Sequence, residues 1–490
     1  MGETRLKREL GLLQATMMGI GGAICAGVFV TLGYAATLAG TALIIAMILC
    51  GIINLFTMLS YAELGAALPS AGGEYTFAKA SFGGFPSFAT GWFEWLSNMF
   101  YAAFSAVGFA YLVSYVIPAV NVPLVAVATV AVFVAVNTKG VKETGLIQTV
   151  LVVILLGILV AFITYGFLTS QGSGSFELTS PGGFLGVLKA SSFIFVVYLG
   201  GEAIAVAQAE IKDPCKTIPR AILLSCLALI VLYTTIAFVV FKIVQPTDLA
   251  GKESPLAYVA QQFMGPVGVA MVTVAGIIAS LTSVNTSIMA HSRVAYALAR
   301  DGYFPSSFFK LHPRFSTPHL AILFGSVLTA VCAATGIVNF LTYATDFGFI
   351  IGFVLVNLSL IKLRVDKPNL TRPFKVPFFP LTPLLGIVTS LMLIFFLDPG
   401  TLFIGAQLFL LGLVAYYVRM VERSRICQAV GGMNLGISAF SALVAWLVMS
   451  GSLPMALSEG VMWMVFGFAV FVAVVFLIAG LLNVAGSSER

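Results

Sequence analysis

The chain has 490 residues, of which 60% are hydrophobic and only 9% charged, with a mean hydropathy of +1.05. A water-soluble domain of this size needs far more surface charge, so a soluble enzyme or a nucleic-acid-binding protein is excluded, and the formal net charge of +6 has to be read by position. The apolar residues fall in blocks of roughly 17–25, the length that carries a helix across a hydrocarbon core of about 30 Å, and not in the ~10-residue alternating segments of a membrane barrel.

The opening MGETRLKREL runs straight into the first span without a small-residue cleavage site, so no removable leader is expected. Spans are predicted near residues 12–38, 41–67, 86–117, 123–137, 146–169, 186–209, 219–243, 266–290, 318–338, 340–361, 380–397, 401–418, 434–450 and 460–482, about fourteen in all. With the amino terminus inside, all of the 25 Lys and Arg residues except Lys189, Lys242 and Lys252 fall on one side. The positive-inside rule then places both termini in the cytoplasm of an all-α, multi-pass protein of the plasma membrane. The six cysteines are scattered without metal-ligand spacing and read as small hydrophobes.

Two spans are poor continuous helices. The first contains GIGGAICAGVFV (Gly19 to Val30); the sixth contains FVVYLGGEAIAVAQAE (Phe195 to Glu210), with Gly200-Gly201 in mid-span and Glu202 directly after. Such glycines either let neighbouring helices pack closely or interrupt the helix where its freed backbone lines a cavity. A break exposes N–H groups at the start of the second half, which attract a carboxylate, and carbonyls at the end of the first, which attract a cation or an ammonium. A zwitterion offers both charges to such a site.

At these residues the chain resembles the amino acid–polyamine–organocation (APC) superfamily, nearest its cationic amino acid transporter-like bacterial and archaeal permeases. The likeness runs from about residue 10 to about residue 400. It includes PSAGGEYTFAKASFG (Pro69 to Gly83), NTKGVKETG (Asn137 to Gly145), AEIKDPCKTIPRAI (Ala209 to Ile222), SRVAYALARDG (Ser292 to Gly302) and RPFKVPFFPLTP (Arg372 to Pro383). The resemblance implies a LeuT-like 5+5 fold with broken helices 1 and 6. Residues 1–169 form one inverted repeat, 170–364 the second, and 365–490 the peripheral helices 11–14.

The resemblance further implies a secondary amino acid transporter working by alternating access. The substrate carboxylate is expected on the amides of Cys25, Ala26 and Gly27, and its ammonium on carbonyls of Ala23, Val196, Val197 and Leu199. Tyr198 and Gly201 adjoin the second break; Tyr198 either gates the side-chain pocket or only packs. Glu202 either takes part in proton-linked opening or accepts hydrogen bonds from freed amides. Proton-coupled relatives carry a helix-5 lysine where this chain has Leu155. ASLTSVNTS (Ala279 to Ser287) resembles a sodium-ligand segment instead, with the Ala279 carbonyl and the Thr282 and Ser283 hydroxyls joined by carbonyls around Gly19 and Gly22. Alternatively these hydroxyls bond back to their own helix.

Ser97 stands where relatives for cationic substrates carry an acid, which favours neutral amino acids. Asn98, Phe100, Tyr101, Asn285, Tyr343 and Asp346 are further candidates for the site. Glu94, near a helix end, and His291, His312 and His319, at or beyond helix ends, are expected to be solvated. No cofactor is expected beyond a Na⁺ ion. The predicted outer loop Pro118 to Pro123 has no cysteine for a disulfide-linked accessory subunit. No HExxH, GxSxG or serine–histidine pair within the spans supports an enzyme. The competing readings are a cationic amino acid or polyamine transporter, proton-coupled or exchanging, and a sensor that binds without transport.

Overall fold

The computed structural model describes residues 8–70, 72–139, 142–169, 178–252, 254–397, 399–420, 423–449 and 459–488. Among them the regular structure is helical, apart from one isolated bridge between Leu10 and Ile211. The chain divides into two compact units, Met1–Leu397 and Asp398–Arg490.

The first unit begins with three short helices, α1 (Leu12–Ala23), α2 (Gly27–Val30) and α3 (Leu32–Ala39), followed by α4 (Leu43–Ala67) and the short α5 (Gly73–Ser81). Long helices α6 (Gly84–Val116), α7 (Val122–Lys139) and α8 (Lys142–Thr169) come next. Then α9 (Gly183–Ile194) passes through a 3-10 turn over Phe195–Tyr198, and α10 (Glu202–Val206) follows the second break. The unit closes with α11 (Pro214–Ile243), α12 (Pro255–Arg300), α13 (His319–Ala333), α14 (Val338–Asp366) and α15 (Leu381–Phe395). Gly265, at φ 62°, bends the chain inside α12 just before Pro266.

By length and composition, eight helical segments among the described residues are apolar enough to cross a membrane. Gly183–Tyr198, His319–Ala333, Leu381–Phe395, Leu402–Tyr416, Val430–Trp446 and Val465–Leu481 are shorter apolar helices. Burial is inverted relative to a soluble protein. Leu124, Leu168, Val231 and Phe395 are exposed, whereas Glu63, Glu94, Glu202 and Asp346 are buried. In lipid that is the stable arrangement, since apolar side chains face hydrocarbon and polar ones find partners inside.

Both breaks have local causes. After Ala23 the chain leaves the helix: Ile24 takes a non-helical ψ of 82°, and Cys25 N–H turns back to the Ala23 carbonyl at 2.8 Å. Helix resumes when Phe29 and Val30 donate to the Ala26 carbonyl. At the second break Leu199 is extended and Gly200 has φ 130°, a conformation that L side chains rarely adopt. The breaks touch, because a Cβ on Gly200 would stand 2.2 Å from Ala23 N.

Around them α1 packs on α8, α10, α11 and α12, while α14 packs on α4, α5, α6 and α15. The amino-terminal segment is tied to the chain after α10, with Glu9 and Leu10 N–H donating to the Glu210 carbonyl and Lys212 N–H to that of Leu10.

The second unit contains α16 (Pro399–Met420), α17 (Arg423–Met449) and α18 (Glu459–Ser488). Val444, Ala445 and Ala469 form its small core against Phe403, Phe440 and Phe466, and Ser438 Oγ donates to the Ala473 carbonyl at 2.8 Å.

Candidate functional site

The two breaks bring backbone carbonyls together in excess of their donors. Tyr101, on α6, places its hydroxyl 2.8 Å from the Gly22 carbonyl, 3.3 Å from that of Ala23 and 3.0 Å from that of Leu199. A phenol has one proton and serves one acceptor at a time. Tyr233, from α11, adds its hydroxyl to the Ala23 carbonyl at 3.2 Å.

A second acceptor-rich point lies on the α12 side of the first break. Ser283 Oγ is 3.2, 3.0 and 3.4 Å from the carbonyls of Gly21, Gly22 and Ile24. Thr282 Oγ1 reaches the Gly21 carbonyl at 3.2 Å as well as that of Ala279, in its own helix, at 2.9 Å. These hydroxyls therefore cross to the break instead of bonding only within α12. The carbonyls facing them are those of Gly21, Gly22 and Ile24; Gly19, expected in this group, lies where a Cβ would meet Ile204 and Ser225.

On the amide side, Gly27 N–H donates to Cys25 Sγ at 3.1 Å, and Cys25 N–H to Ala23 as described. The Ala26 amide meets no acceptor among the described residues. Val197 closes this region from the second break, since a Cβ on Gly27 would come within 2.8 Å of its Cγ1. Val196 gives its carbonyl to Leu199 N–H at 3.3 Å. All of these residues are buried in this closed arrangement.

Tyr198 points away, its hydroxyl donating to the Met47 carbonyl of α4 at 2.8 Å and its ring standing edge-on to Tyr233. Gly201 faces Met58. Glu202 turns back on its own break, accepting Gly200 N–H at 2.8 Å. Leu155 is fully buried, one turn beyond Val152, which with Gln148 packs α8 against Gly21. Ser97 is buried against Gly348 of α14.

Two expectations of solvation are corrected. Glu94 is fully buried beneath α5, where it accepts the Glu74 and Tyr75 amides at 3.3 and 3.1 Å. Gly72 and Gly73, at φ 116° and 48°, aim those amides at it, and a carboxylate at a helix N-terminus is well placed. His291 is also fully buried, packed on Gly325 of α13.

The sequence did not single out Ile24 or Tyr233, whose parts depend on which helices meet. Glu63 was missed too. It is fully buried at the end of α4, where it accepts from Arg364 Nε at 2.8 Å and Val376 N–H at 2.6 Å and lies 3.3 Å from Arg372 Nε.

A family model described as amino acid permease matches residues 10–418. The chain belongs to the amino acid permease family. Its relatives are named as permeases and transporters, and this permease is a multi-pass membrane protein. It is 30% identical to the branched-chain amino acid permease BcaP of Bacillus subtilis (strain 168), over 87% of this chain and 96% of that one. It is 28% identical to the methylthioribose transporter of the same organism, over 84% and 93%. It is also 30% identical to the chloroplastic cationic amino acid transporter 7 of Arabidopsis thaliana, over 76% and 68%.

Proposed function

We propose that this permease is a secondary active transporter of neutral amino acids, driven by Na⁺ and working by alternating access. The observation that carries the reading is the cluster of the Gly22, Ala23 and Leu199 carbonyls around one phenolic proton, beside the Ala26 and Gly27 amides. An ammonium brings three protons to those three acceptors, and the attached carboxylate falls to the amides. In this closed arrangement the Tyr101 hydroxyl stands where the ammonium goes and yields it when substrate enters.

The Ser283 point fits Na⁺. Its donors are all neutral oxygens, carbonyls and hydroxyls, in excess of the protons available, and a hard monovalent cation takes up that excess. Gly21, Gly22, Ile24, Ala279, Thr282 and Ser283 would hold it. When bound, it supplies the positive charge that ties α12 to the first break. Leu155, with no proton to give, supports sodium over a helix-5 proton.

Ser97, and a relative whose name states branched-chain amino acids, support a neutral substrate. The name of the Arabidopsis relative states cationic ones, the competing class. The reading includes a LeuT-like arrangement of about fourteen spans with both termini in the cytoplasm, residues 1–169 and 170–364 being inverted repeats, each opening on a broken helix.

Uptake of radiolabelled leucine and lysine into proteoliposomes tests this, with and without an inward Na⁺ gradient. Leucine is expected to accumulate only with the gradient, and lysine not at all. Leucine uptake indifferent to Na⁺ would remove the ion, lysine uptake the substrate class, and binding without uptake the transporter.

A further inference from the structure

Six acidic side chains are buried among the described residues: Glu63, Glu74, Glu94, Glu202, Glu210 and Asp346. Five of them are provided for. Glu63 has Arg364 and Arg372, Glu94 has two amides, Glu202 has the Gly200 amide, Glu210 has Arg293 at 3.6 Å, and Glu74 has the Tyr61 hydroxyl. Asp346, in the first third of α14, is fully buried, and neither of its carboxyl oxygens has a hydrogen-bond partner.

Its position is beside the substrate region. One turn before it, Tyr343 stands edge-on to Phe193 of α9; three residues after it, Phe349 stands edge-on to Tyr101. The elements packed on α14 present few other titratable groups. Glu74 of α5 faces Gly352 farther along, and Glu63 of α4 pairs with Arg364 near the end of α14. Glu94 of α6 is held by the α5 amides, and no group of these elements is hydrogen-bonded or ion-paired to Asp346 among the described residues. An ionised carboxylate there would have neither a counter-charge nor a donor, which costs far more than leaving a neutral carboxyl unpaired.

We propose that Asp346 is a proton site of the substrate chamber. It carries a proton in the closed arrangement and gives it up to water when the chamber opens, so that closing on substrate takes up one proton from solution. This rests on the reading of the two breaks as the substrate site, and it is separate from the Na⁺ point at Ser283. It also agrees with a neutral substrate, since a protonated Asp346 offers no charge to a lysine or arginine side chain.

The test is equilibrium binding of radiolabelled leucine to the full-length protein at saturating Na⁺, from pH 5.5 to 9. Wild-type affinity is expected to weaken with rising pH by up to about tenfold per unit, the slope for one proton. Asp346→Asn, a neutral isostere, is expected to keep the low-pH affinity without the slope, and Asp346→Thr serves if the first variant fails to fold. A flat wild-type profile, or an unchanged slope in the variant, would overturn the proposal. So would lysine binding that the variant loses, because Asp346 would then be ionised and paired with substrate. A second readout separates this from the site itself. At pH 8 and saturating Na⁺, leucine binding is expected to raise the infrared carbonyl stretch of protonated carboxyl groups in the wild type and not in the variant. Leucine that binds without raising the band overturns the proton site, whereas leucine that does not bind at all overturns the reading of the two breaks as the substrate site.

Discussion

Glu74 sits under two constraints that reach back to the GGEY segment. The left-handed Gly72 and Gly73 fold α5 down so that Glu74 is fully buried, with one carboxyl oxygen on the Tyr61 hydroxyl and the other against Gly352. Burial, and then the charge of nearby Glu94, hold the Glu74 carboxyl well above the usual carboxylate range. Its proton is therefore bound more tightly in the folded protein than in the unfolded chain. The stability this gives is complete below about pH 4, the ordinary glutamate range, and is lost as pH rises through the raised folded value. Glu74→Gln is expected to flatten the fall of melting temperature between pH 5 and 9, over any pH-independent offset from the new amide. Wild type and variant curves that fall in parallel would show that Glu74 is not the group titrating. None of this burial was legible in the sequence, where Glu74 is one acid in a nine-residue polar helix. What hides it is a neighbour, α14, whose glycine leaves room for the carboxyl.

The resembling motifs, taken as elements, are joints between helices. RPFKVP brings Arg372 to the carbonyls of Leu363, Lys367 and Leu370 at 2.9 Å each, which closes the end of α14 and carries Arg372 to Glu63 on α4. NTKG sends Asn137 of α7 to Asn285 of α12 at 2.9 Å. Removing one partner of a buried ion pair leaves its charges uncompensated. Glu63→Ala is therefore expected to destabilise the permease by about 3 kcal/mol, read as a lower melting temperature, with leucine affinity in the surviving protein within twofold of wild type. A weakened affinity at unchanged stability would place Glu63 in the transport cycle instead. The breaks were legible because glycine clusters in mid-span act through the backbone itself. Of the partners of the freed carbonyls, Thr282 and Ser283 of α12 were named through the family resemblance and Tyr101 of α6 as a candidate only. Tyr233 of α11 was not legible, because which distant helix meets the break is decided by packing. The misplacement of His291 has a plainer cause. Its span was taken to end near residue 290, but α12 runs on to Arg300, so a position expected at the helix end is about two and a half turns inside it.

For the whole molecule, hydropathy made the helical membrane class plain, but it could not show which apolar helices serve the site. Among the described residues, the groups named around the two breaks and the partners given for them lie in the unit Met1–Leu397. The unit Asp398–Arg490 has its own core at Val444, Ala445 and Ala469, and contacts of its own such as Ser438 with Ala473. Trp446 and Trp463 on it are largely exposed, as aromatic side chains facing lipid or its headgroups are. If binding depends only on what touches the substrate and on what holds those groups in place, the second unit is dispensable for it. A chain ending at Leu397, solubilised in a mild detergent, is expected to bind leucine with an affinity within about threefold of the full-length protein. Its melting temperature is free to differ, since stability and affinity are separate readouts. A tenfold or greater loss of affinity in a truncated chain that still melts cooperatively would show that the last three helices constrain the breaks. The energy that sets the site would then be spread over the whole chain and not confined to the helices that meet at Gly22 and Gly200.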